Sequence, residues 1–236
     1  MKALVGLLAV TAVLAGSSAR AQSTELRVLF VGNSLTETND LPAKVAALAA
    51  TTGRKLEYRM ITFGGFSLED HWNQGAARAA LATRSWDVVV MQQGPSALPE
   101  SQLDLGRWAN RWADEARALG TRPALMTVWP ESYRRSALRE VIASYRRAAQ
   151  AARTELLPAG SAWQLTWDCD RRIPLYGADG FHPSALGTQT AALVVYGRLF
   201  RAPVVGLRMP VASRTARLVQ KSAARAQGRP IARPCA

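Results

Sequence analysis

The chain has 236 residues, of which 48% are hydrophobic, and this is enough for one enzyme-sized domain with a sizeable core. Lysine and arginine outnumber aspartate and glutamate by 30 to 17, so the formal net charge is +13. With two cysteines and two histidines, the sequence lacks the metal-ligand spacings H-E-x-x-H and paired C-x-x-C, and it has no Walker-type or dinucleotide-binding glycine loop. The sequence therefore predicts chemistry that needs no metal and no other cofactor.

The first 21 residues have the pattern of a signal peptide. Lys2 precedes an apolar run over 3–15, and Ala19-Arg20-Ala21 has the small-x-small form of a signal-peptidase site. The apolar run is short for a membrane-spanning helix, which favours cleavage over an uncleaved anchor. We therefore expect a secreted or periplasmic protein whose mature chain begins at residue 22, and we expect no nucleic acid among its partners.

Strand and helix patterns alternate over residues 22–207, which we interpret as one domain. Predicted strands cover 26–31, 56–62, 86–91, 123–128 and 155–159, and predicted helices cover 41–52, 68–84, 103–119, 133–154 and 183–200. In the third helix, Trp108 and Trp112 form an i, i+4 stripe that is more typical of a core than of a ligand platform. Continuous apolar strands between amphipathic helices predict an α/β fold, a three-layer α/β/α sandwich whose central parallel sheet binds ligands at the carboxyl ends of its strands.

The first predicted strand leads directly into Gly32-Asn33-Ser34-Leu35. A serine between a strand and a helix is well placed to act as a nucleophile, because the helix N-terminus offers free N–H groups to a developing oxyanion. The alternative is that Ser34 only caps the helix.

A histidine and an aspartate that could activate this serine occur in Asp179-Gly180-Phe181-His182-Pro183. On one tight turn, this spacing can bring the carboxylate to Nδ1 of His182 while Nε2 faces outward. Pro183 fits the first position of the last helix, which would place His182 at the mouth of that helix. The alternative is a surface turn with a capping Asp179 and an incidental histidine. The other histidine, His71, lies within a helical pattern.

Together these motifs resemble the sequence blocks of the SGNH, or GDSL-like, hydrolases over most of the mature chain. Gly32-Asn33-Ser34-Leu35 is similar to the nucleophile block, with Asn33 where the family usually has aspartate, and Asp179-Gly180-Phe181-His182 is similar to the Asp-x-x-His block. Gly64-Gly65-Phe66-Ser67-Leu68 resembles the second block, in which the N–H of Gly65 would contribute to the oxyanion hole. The resemblance implies the flavodoxin-like SGNH fold. An α/β-hydrolase is disfavoured, because no second glycine completes a G-x-S-x-G elbow around Ser34.

The third block departs from the family pattern. The family usually has Gly-x-Asn after this strand, whereas this chain has Gln92-Gln93-Gly94-Pro95-Ser96. A glutamine side chain can donate the same kind of N–H as asparagine. We therefore interpret Gln92 as the side-chain oxyanion donor of a variant block, with Gln93 and Ser96 as the alternatives.

The resemblance implies an exported serine esterase. Ser34 would attack an ester carbonyl, His182 would carry the proton and Asp179 would orient His182. The N–H groups of Ser34 and Gly65, with the side chain of Gln92, would bind the oxyanion. By analogy, the substrates are O-acetyl or other short acyl esters on small molecules or glycans. Two alternatives remain: a non-catalytic glycan-binding module of the same fold, and a basic structural protein of the cell envelope.

Residues 208–236 differ in character from the rest of the chain. They have no apolar period and no acidic residue, and they carry seven cations: Arg208, Arg214, Arg217, Lys221, Arg225, Arg229 and Arg233. This composition predicts a disordered tail, either simply solvated or bound to an anionic envelope polymer or to lipid headgroups. Cys169 and Cys235 could pair in an oxidising compartment, or Cys169 could be buried and Cys235 free.

Overall fold

Five strands form one parallel sheet in the computed structural model, which describes residues 24–231 and residue 235. The strands are β1 (Glu25–Gly32), β2 (Lys55–Thr62), β3 (Val88–Met91), β4 (Arg122–Met126) and β5 (Glu155–Leu157). Their order is β2-β1-β3-β4-β5, and every neighbouring pair is parallel. The predicted parallel sheet is confirmed.

The helices lie on both faces of this sheet. They are α1 (Ser34–Glu37), α2 (Leu41–Ala50), α3 (Leu68–Gln74), α4 (Ala76–Ala82), α5 (Pro99–Ala118), α6 (Leu138–Ala151), α7 (Ala159–Cys169), α8 (Ala185–Leu199) and α9 (Ser213–Ala226). From β1 the chain crosses to β2 at one edge of the sheet, and from β2 onwards it moves in the opposite direction, to β3, β4 and β5. Because parallel crossovers are right-handed, α2 lies on the opposite face from α3–α6. The helix contacts agree: α2 packs on α8, whereas α5 packs on α3 and α6. The three-layer α/β/α sandwich is therefore confirmed.

The centre of the sheet is buried on both faces, which explains its apolar runs. Every residue of 28–31 in β1 and of β3 is buried. Trp108 and Trp112 are buried as well, with the ring of Trp72 packed against both. The interpretation of the tryptophan stripe as core is confirmed.

Several predicted element boundaries are wrong, each for a local reason. The predicted helix 68–84 is two helices, because Gly75 adopts a left-handed conformation that ends α3. The first part of the predicted helix 133–154 is a 3₁₀ helix, Ser132–Ala137. Pro183 is not the first residue of the last helix, because Ser184 caps α8 by accepting the N–H of Gly187 at 3.0 Å. Helix α7 was not predicted.

The prediction of a disordered tail over 208–236 is wrong for the part that the structure describes. Residues of α9 pack on α7 and α8, and Val219, Ala223 and Ala224 are buried there. Buried Gln220 accepts the N–H of Gly206 at 2.8 Å and donates to the carbonyl of Leu207 at 2.6 Å. The buried face consists mostly of alanine and polar side chains, so few large apolar residues mark it in the sequence, and the amphipathic pattern of the helix depends on the cations of its outer face.

A disulfide bond joins the end of α7 to the end of the chain. Cys169 and Cys235 are paired, with their Cα atoms 5.0 Å apart and a sequence separation of 66. The bond therefore closes the segment that contains α8 and α9 into one large loop. The predicted signal peptide lies outside the described residues, and no helix in the described part of the chain is both long and apolar enough to cross a bilayer.

We expect the double variant Cys169→Ser/Cys235→Ser to melt on the order of 10 °C below the oxidised wild type. A loop of this length contributes about 4 kcal/mol in the chain-entropy account of disulfides. For a domain of this size, each kcal/mol shifts Tm by about 2–4 °C. Differential scanning calorimetry measures the shift, and reduced wild type serves as the control that should match the variant. Equal Tm values for the variant and the oxidised wild type would contradict a stabilising bond.

Candidate active site

Ser34 lies where the order of the strands reverses. It is the first residue of α1, two residues beyond the end of β1. The chain leaves β1 towards β2 and leaves the neighbouring strand β3 in the opposite direction, towards β4. Ligands in open parallel sheets bind at this crevice. Asn33, and not Ser34, caps α1: its Oδ1 accepts the N–H of Leu35 at 3.1 Å. The backbone N–H of Ser34 has no acceptor among the described residues.

Ser34, His182 and Asp179 form one hydrogen-bonded series. Nε2 of His182 lies 2.8 Å from Oγ of Ser34, and Nδ1 of His182 lies 2.5 Å from Oδ2 of Asp179. Because a carboxylate only accepts, Nδ1 carries the proton and Nε2 of the neutral ring accepts the serine hydroxyl. The structure brings together the three residues that the sequence predicted as a triad.

The carboxylate of Asp179 is held in its ionised form. The hydrogen bond from His182 lowers its pKa from 3.8 to about 2, and the backbone N–H of Phe181 contributes next. Oδ1 accepts the N–H groups of Phe181 and His182, each at 3.0 Å. One oxygen therefore shapes the turn while the other oxygen orients the imidazole.

The turn that carries Asp179 and His182 is braced by the segment after β4. The N–H of Ser132 donates to the carbonyl of Gly180 at 2.7 Å, and Nε1 of Trp129 donates to the carbonyl of Phe181 at 3.1 Å. Glycine is required at position 180 for two reasons: its φ of +69° is left-handed, and a Cβ there would lie 2.5 Å from Oγ of Ser132. Sequence reasoning missed this brace, because the two segments lie about 50 residues apart and share no motif.

Gln92 is not placed as the predicted oxyanion donor. It is buried beneath the nucleophile loop, where its Oε1 accepts the N–H of Asn33 at 3.0 Å and the hydroxyl of Thr36 at 2.8 Å. Its Nε2 donates to Oδ1 of Asn33 at 3.0 Å and to the carbonyl of Gln93 at 2.7 Å. The N–H of Asn33 can only donate, which fixes the orientation of the amide. Both amide hydrogens of Gln92 are therefore used inside the protein.

The two alternatives, Gln93 and Ser96, are also engaged and buried. Oε1 of Gln93 accepts the N–H of Leu68 at 3.1 Å, and its Nε2 donates to Oγ of Ser96 at 3.1 Å. Oγ of Ser96 in turn donates to the carbonyl of Gly94 at 3.2 Å. The polar side chains that follow β3 therefore connect loops and helices, and none of these three presents a free donor to the site.

The glycine of the nucleophile block is explained by the same amide. A Cβ on Gly32 would lie 2.5 Å from Oε1 of Gln92 and 2.8 Å from Oγ1 of Thr36. On the other side, the carbonyl of Gly32 accepts the Nε2–H of buried His71 at 2.7 Å. Desolvation of His71 lowers its pKa, so this ring stays neutral and donates from Nε2.

Of the predicted oxyanion donors, the backbone N–H groups of Ser34 and Gly65 are the ones without an acceptor among the described residues. Asn33 ties the loop after β2 to the nucleophile loop, because its Nδ2 donates to the carbonyl of Phe66 at 3.0 Å. The N–H of Gly65 has no acceptor among the described residues, and Gly65 is exposed with φ +74°. No group of three or more His, Cys, Asp and Glu side chains suited to a metal occurs within the part of the chain described here.

Comparisons with known proteins bear on the fold. No family model matches the chain, and no curated protein matches its sequence. A candidate SGNH hydrolase from Slackia heliotrinireducens is 28% identical, with a TM-score of 0.63 over 73% of this chain and 97% of its own. A DUF4886 family protein from Bacteroides uniformis is 18% identical, with a TM-score of 0.74 over 87% of this chain and 96% of its own. A lipase/acylhydrolase from Enterococcus faecalis is 14% identical, with a TM-score of 0.59 over 79% of this chain and 100% of its own. This chain therefore resembles the SGNH, or GDSL-like, hydrolases and has their fold.

Proposed function

We propose that this chain is an exported serine esterase that hydrolyses carboxylic esters through a Ser–His–Asp triad and an acyl-enzyme. The substrates in this proposal are O-acetyl or other short acyl esters, including those carried on glycans. The observation that carries the proposal is the hydrogen-bonded series from Oγ of Ser34 through His182 to Asp179, at the carboxyl edge of the sheet. The fold of ester hydrolases supports it.

The geometry suits nucleophilic acyl transfer. Nε2 of His182 takes the hydroxyl proton as Oγ of Ser34 bonds to the ester carbonyl carbon, and Asp179 stabilises the imidazolium that forms. The tetrahedral intermediate collapses, the ester C–O bond breaks, and His182 passes the proton to the leaving alcohol. A water molecule, deprotonated by the same imidazole, then hydrolyses the acyl-enzyme and regenerates Ser34.

In this mechanism the oxyanion is bound by backbone groups. The N–H groups of Ser34 and Gly65 have no acceptor within the described part of the chain, and they lie on loops that a hydrogen bond from Asn33 to Phe66 holds together. The side chain of Gln92 acts one step away, by fixing Asn33 and hence the direction of the Ser34 N–H. A preorganised donor is worth more than a mobile one, because no reorganisation is needed as charge develops.

Export is supported by two independent features. The residues that precede the domain have the pattern of a signal peptide, and Cys169 is paired with Cys235. Disulfides persist in oxidising compartments and are rare in the cytosol of mesophiles. The proposal therefore places the mature protein in the periplasm or outside the cell.

Hydrolysis of p-nitrophenyl acetate by the purified mature protein is the direct test. Turnover that is absent in Ser34→Ala supports the esterase, and a series of acetate, butyrate and octanoate esters measures the preferred acyl length. No turnover on any ester of the series would overturn the proposal in favour of the non-catalytic alternatives. A preference for octanoate would overturn only the assignment to short acyl groups.

We expect Ser34→Ala and His182→Ala each to lower kcat by about 10⁴-fold or more, and we expect the double variant to be little worse than either single variant. The reason is that the nucleophile and its base act in one step, so losing either member abolishes it. Steady-state kinetics on one soluble ester gives all three values. Losses that multiply in the double variant would show that the two residues do not share a mechanism.

Asp179→Asn should lower kcat by about 10³- to 10⁴-fold with an unchanged fold, because the amide can donate to Nδ1 and so stabilise the wrong tautomer of His182. The amide oxygen can still accept the backbone N–H groups of Phe181 and His182, so circular dichroism and Tm should stay close to those of the wild type. Turnover equal to that of the wild type would remove Asp179 from the triad.

Gln92→Ala should lower kcat and Tm together. The truncation leaves the N–H of Asn33 and the hydroxyl of Thr36 buried without acceptors, at about 1–3 kcal/mol for each unsatisfied group. Gln93→Ala is the matched control: it removes an equally buried amide that bonds to α3 instead of the nucleophile loop. This control should lower Tm with a smaller loss of kcat. If Gln92→Ala lowers kcat without lowering Tm, its role as a support of the loop is wrong.

A further inference from the structure

Helix α9 presents a basic face on the side away from the core. Arg214, Arg217 and Lys221 recur at i, i+3 and i+7, so they form one stripe along the helix. The buried face of the same helix, with Val219 and Ala223, packs on α7 and α8. The stripe lines a cavity of about 700 Å³ that also contains Arg172 and the Cys169–Cys235 disulfide.

A second basic cavity is lined in part by another residue of the turn after α7 that carries Arg172. It has a volume of about 400 Å³ and is lined by Arg135, Arg139 and Arg171, with Trp167 among them. Arg171 and Arg172 are consecutive residues in the turn after α7, and each lines a different one of the two cavities. We refer to the two cavities together as the basic groove: Arg135, Arg139 and Arg171 on one side of the turn, and Arg172, Arg214, Arg217 and Lys221 on the other.

The positive charge of the basic groove is mostly not neutralised by the protein. Seven cations line it against two acidic residues, Asp168 and Asp170. Arg172 bonds to Asp170 at 3.1 Å and, with the nearby charge of Arg214, lowers the pKa of Asp170. Five other arginines of the groove form no ion pair with another described residue: Arg135, Arg139, Arg171, Arg214 and Arg217.

Arginines elsewhere in the described part of the chain are of two kinds: some form ion pairs, and others, such as Arg107 and Arg146, form none. Arg84 pairs with Glu57, Arg117 with Asp114, and Arg122 with Glu155. Unpaired arginines that lie close together around a cavity repel one another, which destabilises the folded protein. An anionic ligand in the cavity would relieve this repulsion. Seven cations and two carboxylates line these cavities, and this clustering of charge points to a binding surface.

We propose that the basic groove binds a linear acidic polysaccharide, with successive sugar carboxylates or sulfates held by arginines of the two cavities. Guanidinium groups bind such anions bidentately, and two basic cavities lined from one turn suit a chain of charges better than a single small anion. This binding goes beyond ester hydrolysis and does not depend on it, because no residue of the triad lines either cavity.

Two other polyanionic surfaces fit the groove less well. Docking to a lipid bilayer uses protruding apolar side chains, whereas Ile173 and Leu218 of the groove are half-buried within a cavity. Single-stranded nucleic acid stacks its bases on exposed rings. Trp167, the aromatic residue that lines the groove, is only 4% exposed, and the guanidinium of Arg135 lies 4.9 Å from the centre of its ring.

The test compares two double variants that remove the same charge. Arg171→Gln/Arg217→Gln removes one arginine from each cavity, and Arg107→Gln/Arg146→Gln removes two exposed arginines from α5 and α6, outside the groove. Binding of oligogalacturonate to the full mature protein is measured by titration calorimetry at several salt concentrations. We expect the groove variant to weaken Kd by about 5- to 30-fold, and the control variant by about twofold or less.

The salt dependence gives a second readout. If the two arginines contact anions directly, the slope of log K against log salt should fall by about one to two in the groove variant only. Equal weakening in the groove and control variants would overturn the proposal in favour of long-range attraction by net charge. Tighter binding of anionic phospholipid vesicles or of an oligonucleotide, lost in the groove variant alone, would overturn the polysaccharide as the occupant. Esterase activity is not needed for any of these measurements, so their failure is separate from failure of the proposed function.

Discussion

The buried amide of Gln92 is the interaction on which the rest of the site depends. Three hydrogen bonds of this side chain connect the end of β3 to the backbone and side chain of Asn33 and to Thr36, and a fourth goes to the carbonyl of Gln93. This amide lies at the point where the strand order reverses, so it fills the position at which the loops after β1 and β3 separate. The approach of Oε1 leaves no room for a side chain on Gly32. The direction of the Ser34 N–H and hydroxyl follows from this contact.

The acid–base half of the site is held from a different direction. His182 reaches Ser34 across 148 residues of sequence, and its turn is fixed by backbone bonds to Ser132 and by the indole of Trp129. The ring of Trp129 stacks on that of Trp163 in the core, with the ring centres 3.5 Å apart. The indole that supports the turn is therefore itself fixed by packing. Nucleophile and base are therefore positioned by separate supports, and their 2.8 Å contact depends on the packing of the whole sheet between them.

The parts of this structure that the sequence predicts are those with a local period or a local motif. The buried strands, the tryptophan stripe and the Asp179–His182 turn each lie within a few residues, and the structure has them where the sequence predicts them. The hydrogen-bond partners of the polar side chains after β3 could not be predicted in this way. An amide there donates equally well to an oxyanion or to Asn33, and only the approach of the nucleophile loop decides between the two. Helix α9 was missed because its amphipathic contrast comes from the cations of its outer face, whereas its buried face has few large apolar residues.

The composition of α9 links stability to the surface charge of the protein. A face of alanines buries little apolar area, so packing alone contributes modestly to holding a helix with four cations and no acidic residue. The Cys169–Cys235 bond compensates by restricting the unfolded chain instead of adding contacts. The same bond forms part of the lining of the larger basic cavity, beside Arg214, Arg217 and Lys221. Reduction of this bond would therefore loosen both α9 and the basic groove. The hydrogen bonds between Gln92 and the nucleophile loop would not change.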